Sequence, residues 1–390
     1  MKVVRFAIAA LAATVTSCAD LSSGPETNSA NLNRYVAMGS SVSMGVASDG
    51  VVAESQLQAW PSLLAADAGV EFSVPAIQAP GCRAPLVAPL VNMRRADNTL
   101  ITDTGTCAEN AAGVTLPSQN VAVSGATASD ATGVTPHVSR PLYGRVLATG
   151  QSQLTAMRSM NPSFVSVEFG ANELLPALSG LVSDLNAGGF SGAMSSITTN
   201  LRQQTTAQAL YALVPTDLRK FPAVRTAAEI ASQRAAFATR NVSVHANCDA
   251  STNYVSLHAK IIPTIISGAV RAATGLGPAE LSCADVPNAR DGILTEADFV
   301  TINNTAAQMN TVIVSRASSG GFATFSLGAL YDTAKDGVPF SVEALLTSPT
   351  PFGPLISLDG IHPSAAGQAV LAAAAKAGII QTYGSVSQSN

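Results

Sequence analysis

The stretch YVAMGSSVSMG, Tyr35 to Gly45, runs an apolar segment straight into a glycine and two serines. Arg34–Met38 has the length and unbroken apolarity of a strand buried on both faces, and Gly39 opens the turn that ends it. Comparable runs recur as NVAVSG (Asn120–Gly125), SFVSVEFG (Ser163–Gly170), ALYALVP (Ala209–Pro215) and FATFSLGALY (Phe322–Tyr331). Between them the spacing predicts helices over Gln58–Ala68, Ser152–Ser159, Asn172–Leu185, Tyr254–Ala273 and Thr295–Ser315. TEAD, Thr295–Asp298, approximates a capping box, and a last helix starts near Ser364. Apolar runs alternating with helices predict an α/β fold around a mostly parallel sheet.

In such a sheet, ligands bind beyond the carboxyl ends of the strands. GSSVSMG (Gly39–Gly45) follows the first run, SGAT (Ser124–Thr127) the second and GANE (Gly170–Glu173) the third. SLDGIHPSAAG (Ser357–Gly367) follows the last and sets one of only four histidines three residues after an aspartate. Folding is expected to gather these segments on one rim. Each alone has a plain alternative: a Ser-Ser turn, a turn glycine, an asparagine N-cap and a surface ion pair before a helix.

Together and in this order, the segments resemble the blocks of the SGNH, or GDSL-type, hydrolase superfamily of esterases, lipases, thioesterases and carbohydrate deacetylases. YVAMGSSVSMG resembles the block that carries the nucleophile, NVAVSGAT the glycine block, FGANE the asparagine block and DGIHPSAAG the Asp-x-x-His-Pro block. QAWPSLLAADAG suits the helix after the first block. The resemblance implies a flavodoxin-like three-layer α/β/α sandwich with a mostly parallel five-stranded sheet. It implies Ser41 as nucleophile, His362 as base and Asp359 as its partner. The implied oxyanion donors are the backbone N–H groups of Ser41 and Gly125 and the side-chain amide of Asn172. No cofactor and no metal is implied.

The chemistry accounts for these residue types. A serine hydroxyl is a weak nucleophile at neutral pH and needs a base to take its proton during attack. Imidazole, with an ordinary pKa of about 6.5, is mostly neutral near pH 7 and suits that task. A carboxylate three residues back can fix the tautomer and stabilise the cation, and Pro363 holds His362 extended. Expected substrates are small-molecule or lipid carboxylic esters. The alternatives are O-deacetylation of a carbohydrate by the same residues and a non-catalytic ligand-binding lipoprotein on this scaffold. Two departures stand out: Ser40 replaces the aspartate of the first block, and Glu173 that of the third. His137, His245 and His258 are expected to be structural or surface residues, and Trp60, at helical spacing from Leu63 and Leu64, a core residue.

The first 17 residues read as an export signal, with Lys2 and Arg5 before the apolar run FAIAALAATV. VTSC resembles the lipobox of bacterial lipoproteins, so Cys18 is the expected lipidation site; an ordinary secretory signal is the alternative. Ala19, where an aspartate would retain the protein at the inner membrane, favours the outer membrane of the cell envelope. Residues 18–33 are the expected flexible tether, and 34–390 one hydrolase domain with insertions at about 50–118 and 218–320. Without the signal, 19 basic residues face 25 acidic ones, a net charge of −6 with no electrostatic footprint for nucleic acid. Cys82, Cys107, Cys248 and Cys283 remain, an even number that suggests two disulfides in an exported chain. Of three possible pairings, Cys82–Cys107 and Cys248–Cys283 are favoured because each brackets one irregular segment.

Overall fold

The computed structural model describes residues 29–103, 106–133, 140–203, 207–335 and 337–386. The export signal, Cys18 and His137 lie outside them. Four strands, β1 (Tyr35–Gly39), β2 (Phe164–Glu168), β3 (Gln208–Leu213) and β4 (Ala323–Ser326), form one parallel sheet in that order. Every residue of β1 and β2 is buried, Ser166 and Glu168 of the otherwise apolar β2 included. The run Asn120–Gly125, expected as a strand, is not a regular one. It lies parallel to β1 through Ala37 N–H to Gln119 O (2.9 Å), Val121 N–H to Ala37 O (2.9 Å) and Val123 N–H to Gly39 O (3.1 Å). The Asn120 side chain bonds elsewhere, to Ser43 O at 2.9 Å and Ala122 N at 3.1 Å, and pairing ends within a few residues.

Seven helices position the rim: α1 (Ser41–Met44), α2 (Trp60–Asp67), α3 (Ala128–Thr132), α4 (Ala171–Leu174), α5 (Phe190–Gln203), α6 (Glu296–Gly320) and α7 (Ala365–Tyr383). Tyr211 on β3 is in register with Thr324, so Phe325 points to the other face. The Tyr211 hydroxyl meets Thr198 of α5 at 2.9 Å, while the Phe325 ring lies 5.0 Å from Trp60 of α2. Helices therefore cover both faces, and Trp60 is fully buried. Thr295 and Asp298 form the expected capping box at the start of α6, and Ser364 caps α7.

Two expected helices differ. Asn172–Leu185 breaks into α4 and two 3-10 turns, Leu175–Ser179 and Val182–Asp184, with Pro176 at the first break and Gly180 (φ 97°) closing that turn. Tyr254–Ala273 begins as a strand, Tyr254–Ser256, between Val224–Thr226 and Ile293–Leu294, and becomes α-helical only from Ile262. Its β-branched and aromatic start pairs in a sheet the helical spacing did not reveal. The segment between β1 and Asn120 holds isolated bridges and short helices, and that between β3 and α6 two small sheets and helices, the longest Ile262–Ala273. Cys82 is bonded to Cys107 in the first and Cys248 to Cys283 in the second.

Candidate active site

Ser41 is the first residue of α1, directly after β1, and is only 4% exposed. Its N–H, at a helix start, has no intrahelical acceptor and is free to meet an anion. The turn is held from β2. Glu168, fully buried, accepts from Ser40 N–H (3.0 Å), Ser40 Oγ (2.8 Å) and Ser43 N–H (3.2 Å). Burial raises the Glu168 pKa, opposed by those donors. Ser40, the first departure, thus serves the turn by binding a carboxylate supplied by the neighbouring strand. Sequence reasoning missed Glu168; an acid as the last residue of an otherwise uncharged buried strand was the available signal.

Asp359 and His362 follow β4 and precede α7. Asp359 Oδ2 meets His362 Nδ1 at 2.8 Å. Asp359 Oδ1 accepts from the N–H groups of Ile361 (2.9 Å) and His362 (2.8 Å) and from Ser357 Oγ (3.3 Å). Burial alone would raise the Asp359 pKa, but the His362 charge and these donors hold it far below the usual carboxylate range. Burial opposes the His362 cation, yet the charge and hydrogen bond of Asp359, with Asp49 and Glu168 behind, carry its pKa above the ordinary imidazole value. The Nδ1 side is thereby fixed, leaving Nε2 as the nitrogen that can take a proton.

The turn after α1 clamps this loop to the Ser41 segment. Ser48 and Asp49 both adopt left-handed backbone (φ 53° and 56°). Ser48 N–H donates to Ser357 Oγ at 2.8 Å, and Asp49 N–H to Asp359 Oδ2 at 2.6 Å. The Asp49 carboxylate accepts from Arg83 and from the buried Arg95, each at 2.6 Å. From α7, the buried Gln368 donates to Val42 O (3.1 Å) and accepts from Trp60 N–H (2.9 Å). His258, expected to be a structural or surface residue, meets the Asp359 carbonyl oxygen from Nε2 at 2.7 Å. Nothing in the sequence around Asp49 or His258 marked them. The hydrogen bonds among the described residues include none directly from Ser41 Oγ to the His362 ring.

Gly125 has φ 78°, and a Cβ built there would meet none of the described residues within 4 Å, so its backbone borders open space among them. Asn172, on α4, donates from Nδ2 to Ala126 O at 3.0 Å, which ties it to the Gly125 segment and leaves the second amide N–H for another acceptor. Next to it Glu173, the second departure, is 1% exposed. It accepts from Ala128 N–H at 2.8 Å through Oε1, while Oε2 has no hydrogen-bond partner among the described residues. Burial pushes its pKa up to about 7. His245 is peripheral and accepts at Nδ1 from Asn247 N–H. No group of three His, Cys, Asp or Glu side chains among the described residues is placed to hold a metal ion.

The model of the family described as GDSL-like Lipase/Acylhydrolase matches residues 35–375. No curated protein matches the chain. Among solved structures, phospholipase A1 from Streptomyces albidoflavus NA297 is 15% identical, over 91% of this chain and 99% of that one, with a TM-score of 0.38. The extracellular lipase of Streptomyces rimosus is 17% identical over 87% and 98%, with a TM-score of 0.32. An acetyl xylan esterase variant from Geobacillus stearothermophilus is 10% identical over 92% and 98%, with a TM-score of 0.37. Structural likeness at this level says nothing about substrate.

Proposed function

For a chain that belongs to the GDSL-like lipase/acylhydrolase family, and is an ester hydrolase on that ground, we propose a Ser41–His362–Asp359 triad acting through an acyl-enzyme. The observation that carries this is the 2.8 Å hydrogen bond that His362 Nδ1 gives to Asp359 beside the buried Ser41 turn. His362 Nε2 takes the Ser41 proton as Oγ attacks the ester carbonyl carbon. The former carbonyl oxygen becomes an oxyanion met by the N–H groups of Ser41 and Gly125 and the Asn172 amide. The tetrahedral intermediate collapses, the C–O bond to the alcohol breaks, and His362 passes its proton to the leaving oxygen. Water then attacks the acyl-enzyme, giving His362 one proton, which returns to Ser41 Oγ as the acid leaves. Ester substrate and a bound oxyanion bring Ser41 Oγ and His362 into line, since catalytic hydrogen bonds commonly tighten only in the complex.

The same reading takes Asn120–Gly125 as the fifth strand of a three-layer fold and residues 34–390 as one hydrolase domain. It also takes Cys18 as the lipid anchor that holds the domain at the cell envelope. Hydrolysis of chromogenic esters of short and medium chain tests the triad. Ser41→Ala is expected to lose about three or more orders of magnitude in kcat, with Ser40→Ala as the matched control. Equal activity in Ser41→Ala removes the triad. The mass of the mature N-terminal peptide, acylated at Cys18 or not, tests the anchor.

A further inference from the structure

The space in front of Gly125 is one end of a cavity of about 600 Å³. Arg83, Arg140, Tyr143 and the Cys82–Cys107 disulfide line it, and no carboxylate among the described residues does. That is unexpected in a chain with 12% charged residues and a net charge of −4. Both guanidinium groups are held in place. Arg140 contacts Asp130 at 3.4 Å and Tyr143 Oη at 3.3 Å, with its Cζ 5.6 Å from the Tyr143 ring centroid. Arg83 binds Asp49 at 2.6 Å, but Asp49 also neutralises the buried Arg95. The Arg83 and Arg140 side chains are 39% and 48% exposed, so each can meet a ligand while keeping its partner.

We propose that this cavity recognises an anionic group on the ester, a phosphate or a carboxylate, and that Arg83 and Arg140 determine that specificity. The inference rests on the triad reading, because only that reading places the scissile carbonyl at Gly125. An ester with an anion several bonds from its carbonyl would set the oxyanion at Gly125 and the anion against the arginines. Guanidinium forks suit both phosphate and carboxylate oxygens.

Two matched pairs test it on the full chain. The 4-nitrophenyl monoester of glutaric acid is compared with 4-nitrophenyl pentanoate, and dihexanoyl phosphatidylglycerol with neutral dihexanoylglycerol. The wild type is expected to favour the anionic member of at least one pair through KM, and less so at high salt. Arg140→Gln and Arg83→Gln are each expected to lower the anionic-to-neutral ratio of kcat/KM by about threefold to tenfold, as half-exposed charge contacts do. Arg140→Lys should recover part of the loss. Arginine dependence in the glutarate pair alone identifies a small anionic ester, and in the lipid pair alone a phospholipid. A wild-type preference for the neutral esters, or ratios indifferent to both arginines, overturns the inference and leaves the triad standing. Absence of hydrolysis of all four esters, together with no labelling of Ser41 by a serine-directed phosphonate, overturns both.

Discussion

Replacing Glu173 by glutamine isolates one buried carboxyl beside the proposed oxyanion asparagine. The folded-state pKa of about 7 lies above the ordinary glutamate value of 4.5, and burial is the cause. Glu168 and Asp130 add charge of the same sign, while the Ala128 N–H works against the shift. A raised carboxyl pKa means the folded chain holds its proton more tightly than the unfolded one. Stability from this group is therefore present when it is protonated and is lost as pH rises from about 4.5 to about 7. A difference of roughly 2.5 pKa units corresponds to about 3 kcal/mol in full, of which about 2.5 kcal/mol falls between pH 5 and pH 8. Glu173→Gln keeps an acceptor for Ala128 N–H and cannot ionise. Urea unfolding of both chains at the two pH values measures the effect, because the other titrating groups are common to both. The variant should gain about 2–3 kcal/mol on the wild type between pH 5 and pH 8. A difference that stays constant with pH would refute a neutral buried carboxyl.

Four further outcomes follow from the same geometry. In the pH profile of kcat/KM the acidic limb should lie above about 6.5, since His362 must be neutral to act as base and Asp359 holds its proton on. Asp359→Asn should lower that limb and reduce kcat by about four orders of magnitude. Glu168→Ala should lower kcat by about tenfold or more with little change in KM, because three donors at the Ser41 turn lose their acceptor; steady-state kinetics on one ester separates the two. Asp49→Ala should cost about 3 kcal/mol in urea unfolding by leaving the buried Arg95 guanidinium without its counter-ion.

Much of this was legible in sequence because short, mainly apolar runs such as Phe164–Glu168 have few solutions other than a buried parallel strand. The four polar segments were equally visible: three follow a run directly, and the fourth sets an aspartate and a histidine just before the last helix. Asn120–Gly125 reads as a strand and does bond to β1, but the turn at Gly125 (φ 78°) ends the pairing after Val123. Tyr254–Ser256 escaped because its partners, Val224–Thr226 and Ile293–Leu294, lie about thirty residues or more away on either side. The supports of the site were hidden for a related reason. Glu168, Asp49 and His258 act on residues 101 to 310 positions distant, through contacts that only the folded chain creates.

The most direct measurement is the covalent labelling of the folded, hydrolytically active protein by a fluorophosphonate, read by peptide mass spectrometry. A nucleophile activated by His362 predicts one phosphonylated residue, Ser41, with labelling lost in His362→Ala and retained in Ser40→Ala. Adduct on Ser40 or another residue, or an active enzyme that takes no label, would contradict it.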